Sequence, residues 1–147
     1  MTRPRTVLAF DFGLKRIGIA SGDTVTRTAA PLAAVAVGRT GPDWNAIAAA
    51  VRALAPELLV VGAPYNADGS DAALTHAARR FAAELEQRYA LPVHLVDERF
   101  SSVEAGAALK ERRASGARRR RVRREDIDSA AAAVILGRFL EGEGRVP

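Results

Sequence analysis

Asp11 closes an apolar run, Val7-Leu8-Ala9-Phe10, that reads as a strand buried on both faces. A carboxylate in that position is costly without a partner. It either caps the turn at Gly13 or holds a cation at the centre of a sheet. Asp97 and Glu98 end a second short strand, Val93 to Val96. Neighbouring strand residues face opposite sides, so at most one of the two can join Asp11. Asp126 and Asp128 stand in the first turn of a last helix, where acids favour the macrodipole. Two helical steps turn the chain by about 200°, so these two cannot both face a sheet. Three carboxylates from two strand ends and a helix start could converge on hard cations. Mg²⁺ prefers oxygen ligands, and paired ions clamp the attacking and leaving oxygens in phosphodiester hydrolysis.

A second chemical signal is basic. The chain of 147 residues carries 22 Lys and Arg against 17 Asp and Glu. Nine of those cations fall between Lys110 and Arg124, and the remainder of the chain is net −3. The arginines Arg118, Arg119, Arg120, Arg121, Arg123 and Arg124 dominate this segment. One explanation is a solvated loop; the other is a polyanionic partner whose counterions are released on binding. Arginine's planar fork suits phosphate. Beside an acidic metal centre, such a segment would hold the polyanion while the metals act on one phosphate.

The elements that position these groups follow from periodicity. Thr6 to Phe12 reads as a central strand, Gly13 to Lys15 as a tight turn, and Arg16 to Ser21 as a hairpin partner. A third extended stretch spans about 28–37. Pro42 falls where a helix begins, with Trp44, Ile47, Ala48, Val51 and Leu54 at helical spacing and Pro56 ending it. Leu58 to Gly62 is a short apolar run typical of a covered parallel strand, followed by a loop over 63–69. Helices are expected over about 71–89, from about Ser102, and over about 125–140. Strands alternating with helices imply right-handed crossovers, and ligands in such sheets bind beyond the carboxyl ends of the parallel strands. The expected architecture is one α/β domain over 1–147, a mixed five-stranded sheet with helices on both faces.

Composition excludes several chemistries. The chain has no cysteine, so disulfides, thiolate zinc sites and cysteine nucleophiles are out. Alanine supplies 31 residues of the 48% apolar content, yet enough larger side chains remain for a core. The longest apolar stretch, Ala130 to Leu136, is far too short to span a bilayer. With no signal-peptide pattern either, the expectation is a cytoplasmic protein without membrane contact. Walker, dinucleotide, nucleophile-elbow and zinc-helix motifs are all missing. His76 and His94 have no partners set by spacing, and Trp44 reads as a helix-to-sheet packing residue.

The stretches AFDFGLKRIGIASGD (9–23), PDWNAI (42–47), VVGAPYNADGS (60–70), VDERFSSVEA (96–105) and IDSAAAAVIL (127–136) together carry a family resemblance. The chain resembles the YqgF/RuvX family of pre-16S rRNA nucleases, which are similar to Holliday junction resolvases and have an RNase H-like fold. The likeness covers nearly all of the chain. It implies Asp11, Glu98 and Asp128 as the catalytic, metal-binding acids, holding Mg²⁺ or Mn²⁺ in a two-metal site. Lys15 and Arg16, beside Asp11, join the arginine segment as expected nucleic-acid contacts. Asn66, Asp68 and Gly69 match a family loop near the site. The arginine segment is richer than is usual in the family.

The function expected is metal-dependent endonucleolytic cleavage, with the 5′ end of precursor 16S rRNA as substrate and ribosomal particles as a possible setting. Cleavage of four-way DNA junctions is the alternative within the same chemistry, since the two differ only in surface geometry and in the 2′-hydroxyl. A non-catalytic RNA- or ribosome-binding factor needs only the basic segment. An actin-like nucleotide-binding role, suggested by Asp11-Phe12-Gly13 and Lys15, lacks a second domain to close over a nucleotide.

Overall fold

The centre of the sheet is Thr6–Phe12 (β1), in which Val7, Leu8, Ala9 and Phe10 are fully buried. In the computed structural model, residues 5–63, 73–97 and 124–141 are described, without the side chains of Ala73, Asp97 and 124–128. Arg16–Asp23 (β2) pairs antiparallel with β1, Asp11 lying opposite Gly18. Leu58–Ala63 (β6), buried throughout, pairs parallel on the other side. Val93–Asp97 (β7) adds a second parallel partner to β6.

On the far side of β2 lie Ala29–Pro31 (β3) and Val35–Gly38 (β4), both antiparallel to it, and Gly41–Pro42 (β5) pairs with β4. Among the described residues the sheet therefore has seven strands rather than the expected five. Gly41–Pro42 adds one strand, and the stretch 28–37 supplies two because it is interrupted. From Pro31 opposite Ala20 to Val35 opposite Ile17, it takes four steps where β2 takes three. One residue is surplus, which bulges the strand, and proline offers no N–H to continue the ladder. The mixed α/β architecture itself is as expected.

Three helices cover the sheet in the described residues. Trp44–Leu54 (α1) starts two residues later than the position of Pro42 suggests, because Pro42 is in β5 and Asp43 is the N-cap. The Asp43 carboxylate accepts from the Ala46 amide at 3.1 Å. Ala55 closes the helix in the left-handed region, its amide donating to the Val51 carbonyl, and Pro56 then prevents continuation. The second helix is Ala73–Tyr89 (α2) and the third Arg124–Leu140 (α3). The helix expected from Ser102 lies outside the described residues.

Strand alternation sorts the core into two clusters. Leu8, Phe10, Ile17, Ile19, Leu59 and Val61 face Ile47 of α1 and Phe81 and Leu85 of α2. Val7, Ala9, Ala20, Val60 and Val96 face Ala132, Ile135, Leu136 and Phe139 of α3. Phe81 ties the first cluster together. Its ring centroid lies 5.6 Å from Phe10, 5.2 Å from Phe12 and 5.5 Å from Trp44. Arg88 covers the outer side of Trp44 at 4.0 Å and is held by Glu84 at 2.8 Å. Trp44 is thus the packing residue its helical position implies. Phe81→Ala should cost about 3–5 kcal/mol, as truncation of a buried aromatic does. Urea unfolding followed through Trp44, the only tryptophan, measures this; a loss below about 1 kcal/mol would show that the cluster collapses without it.

The direction of α3 decides what the sheet edge can do. Near its C-terminus, Phe139 stacks 5.3 Å from His94, and Glu141 pairs with Arg27 at 3.7 Å. Both partners sit at the end of the sheet where β1 and β7 begin. The start of α3 therefore points to the end where β1, β6 and β7 finish. No helix among the described residues is long and apolar enough to cross a membrane.

Candidate functional site

β1, β6 and β7 run parallel, so Asp11, Ala63 and Asp97 finish at one edge of the sheet, and the first turns of α3 reach the same edge. Asp11 is half-buried and engaged in a polar interaction. It belongs to the row Val7, Ala9, Asp11 on the α3 face. Its register neighbours are Gly18 on β2 and Gly62 on β6. Neither neighbour has a side chain, so no side chain of β2 or β6 flanks this carboxylate at its own level. The buried row is continued by an acid at the level where both adjacent strands carry glycine. That is a poor place for packing and a good one for an ion.

The register also separates the two acids that end β7. Val93 and Leu95 pack on the α1 and α2 face, while Val96 packs on the α3 face. Position 97, paired with Ala63, falls by alternation on the side away from Asp11. Glu98 lies outside the described residues. In α3, the residues buried against the sheet are Ser129, Ala131, Ala132, Ile135, Leu136 and Phe139. At about 100° per residue, position 128 falls on that stripe, whereas position 126 lies well over 100° from its middle.

Lys15 is exposed in the turn between β1 and β2, where its carbonyl accepts from the Val37 amide at 2.9 Å. Arg16 begins β2, is half-buried and has a partner. Gly13 is needed in this turn because a Cβ would stand 2.7 Å from the Arg16 carbonyl oxygen. The structure thus brings Asp11, Lys15 and Arg16 within one hairpin. Arg118, Arg119, Arg120, Arg121 and Arg123 lie outside the described residues, as do Asn66, Asp68 and Gly69; Arg124 opens α3. Among the described residues no three His, Asp or Glu side chains form a metal-binding group.

Three glycines on this face of the sheet were not read from the sequence. Gly18 and Gly62 look like ordinary strand glycines until the register sets them beside Asp11. Gly22 is the third: a Cβ there would meet the Thr28 carbonyl oxygen at 2.3 Å and Leu136 Cδ2 at 2.9 Å. The available signal was the spacing Gly18-x-Ala20-x-Gly22, a row of small residues on one strand face.

Comparison with known proteins agrees with this fold. The family model described as "RuvX: Holliday junction resolvase" matches residues 5–142. A protein of Nitrosococcus oceani named "Putative pre-16S rRNA nuclease" is 47% identical over 140 residues, covering 95% of this chain and 88% of its own. A protein of Legionella pneumophila with the same name is 45% identical over 139 residues, covering 94% and 97%. Among solved structures, Thermus thermophilus RuvC in complex with a Holliday junction substrate superposes with a TM-score of 0.55. It covers 97% of this chain and 99% of its own at 15% identity, a likeness of fold. That fold is RNase H-like, which accounts for the antiparallel β1–β2 hairpin beside parallel β6 and β7.

Proposed function

The chain belongs to the RuvX family, and from that premise we propose that it is a metal-dependent endonuclease that cleaves phosphodiester bonds in nucleic acid. The observation that carries this reading is Asp11, set at the carboxyl end of the central strand between Gly18 and Gly62. Its substrate is the 5′-extended precursor of 16S rRNA, by analogy with relatives sharing more than two-fifths of the sequence over almost its full length. Residues 1–147 act as a single cytoplasmic nuclease domain, with precursor ribosomal particles as the natural setting. A four-way DNA junction is the second substrate to test, since the family description and the RuvC likeness both favour it.

Asp11, Glu98 and Asp128 would hold the Mg²⁺ or Mn²⁺ ions, and the donor set fits: carboxylates are hard oxygen ligands, and both strand neighbours of Asp11 are glycines. The chemistry such ions would supply there is charge neutralisation at the phosphate and activation of the attacking water. Strand alternation supports Glu98 over Asp97, because even-numbered positions of β7 share the face of Asp11. Helical periodicity supports Asp128 over Asp126 in the same way. Lys15 and Arg16 bind phosphates flanking the scissile one, close to Asp11. Arg118 to Arg121, Arg123 and Arg124 grip the strand further along.

Glu98→Gln and Asp128→Asn should each lower single-turnover cleavage by more than about 100-fold, beyond the range for partners that merely orient a metal ligand. Asp97→Asn and Asp126→Asn should lose less than about 10-fold. A more damaging Asp126→Asn would place the wrong side of α3 against the sheet.

The arginine segment makes a separate prediction. Replacing Arg118, Arg119, Arg120 and Arg121 with Ala should weaken RNA binding and flatten its salt dependence by roughly 0.7–0.9 in log–log slope for each phosphate no longer neutralised. Thermal stability should stay within about 1 kcal/mol, since exposed charges contribute little to folding. An unchanged slope with a lower Tm would make these arginines structural.

A further inference from the structure

Ser129 presents an anomaly at the start of α3. The residue is 4% exposed, and its hydroxyl oxygen is the buried side-chain polar atom among the described residues that has no hydrogen-bond partner. Burying an unpaired hydroxyl destabilises a fold. Alanine in the same helical position would remove that cost and favour the helix as well. Packing therefore provides no reason for this hydroxyl.

Its position suggests one. Ser129 lies two turns before Leu136 in α3, roughly 10 Å along the axis. Leu136 Cδ2 is 2.9 Å from where a Cβ on Gly22 would sit, and Gly22 lies opposite Val7. From Val7, four strand residues rise roughly 13 Å to Asp11. Because α3 runs back toward that edge, Ser129 comes to about the level of Asp11, on the same face of the sheet. It also adjoins position 128.

We propose that Ser129 is a positioning residue of the metal centre, its hydroxyl donating a hydrogen bond to the Asp11 carboxylate when a divalent cation is bound. The inference rests on the metal-dependent nuclease reading above. A carboxylate has about four acceptor sites, so it can bind an ion, keep its existing partner and still accept from a hydroxyl. Metal-ligating carboxylates are themselves held by hydrogen bonds, which fix their orientation and raise metal affinity. The buried Ser129 hydroxyl, which has no other hydrogen-bond partner, is the donor for that bond.

The test is Mn²⁺ titration by calorimetry on the full chain, with metal-free melting of the same samples. Ser129→Ala should raise the metal-free Tm by about 2–4 °C, through removal of the unpaired group. The same variant should weaken Mn²⁺ binding by about 10-fold or more. Ser129→Cys, with a weak S–H donor, should fall between the two in affinity. Opposite signs in stability and affinity are the signature, because a purely structural serine would lower Tm and leave affinity alone. Unchanged Mn²⁺ affinity in Ser129→Ala, while Asp11→Asn loses binding, overturns the role of Ser129 alone. Equal binding by wild type and Asp11→Asn overturns the metal centre and this inference with it.

Discussion

Asp11→Asn should leave a folded protein that no longer cleaves. Asparagine keeps the shape of the side chain and its ability to sit between Gly18 and Gly62, but it removes the charge that holds a divalent cation. Losing an outer partner of a metal ligand typically costs about 10- to 100-fold in affinity or activity, so loss of a ligand should exceed that range. The strand around it is secured by Val7, Leu8, Ala9 and Phe10, all fully buried, which is why Tm should move by no more than about 4 °C. Circular dichroism and single-turnover cleavage on the same preparation separate the two effects. Full activity in the folded variant would remove Asp11 from the chemistry.

Gly22→Ala should damage the protein from the opposite end of α3. The added methyl would stand 2.3 Å from the Thr28 carbonyl oxygen and 2.9 Å from Leu136 Cδ2. Leu136 has some freedom to move; a backbone carbonyl in the β2–β3 connection has little. Overpacking of this kind costs about 1–3 kcal/mol and sometimes more, and the backbone clash puts this site at the upper end. The expected result is a Tm lowered by roughly 10 °C. Because α3 carries position 128 at its other end, cleavage should fall as well, even though Gly22 is far from Asp11. A Gly22→Ala protein with unchanged Tm would show that α3 does not approach β2 as closely as the structure has it.

Much of this arrangement was legible in the sequence because one physical signal dominated each element. The runs around β1 and β6 are apolar on both faces, and only a covered sheet explains them. Asp11 was legible because a carboxylate at the end of such a run has few structural explanations. The stretch 28–37 was less legible: alanine and proline give weak strand signals, and a surplus residue that bulges a strand leaves no periodic trace. Pro42 illustrates competition between two local rules. Proline suits a first helical turn, yet Asp43 is the better N-cap, and the helix begins after it. The glycines beside Asp11 were illegible for a different reason. Their meaning depends on register between strands far apart in sequence, and one strand read alone does not contain it.

The choice between neighbouring acids shows what the structure adds. In the sequence, Asp97 and Glu98 were separable only by resemblance, because alternation says that one faces Asp11 without saying which. The packing of Val93, Leu95 and Val96 supplies the phase. The buried stripe of α3 does the same for Asp126 and Asp128. Both phases support the proposed choice of Glu98 and Asp128, which rests on the family pattern.

The most direct test of a metal-dependent nuclease centred on Asp11 is cleavage by the purified chain, wild type and Asp11→Asn, under single-turnover conditions. The substrates are 5′-extended 16S rRNA precursor, a four-way DNA junction and plain duplexes, each in Mg²⁺, in Mn²⁺ and with chelator. The account predicts that the wild type cuts the precursor RNA in either metal, and that chelation or Asp11→Asn stops the cutting while RNA binding persists. Salt-sensitive binding of the precursor with no cleavage of any substrate in either metal would contradict it.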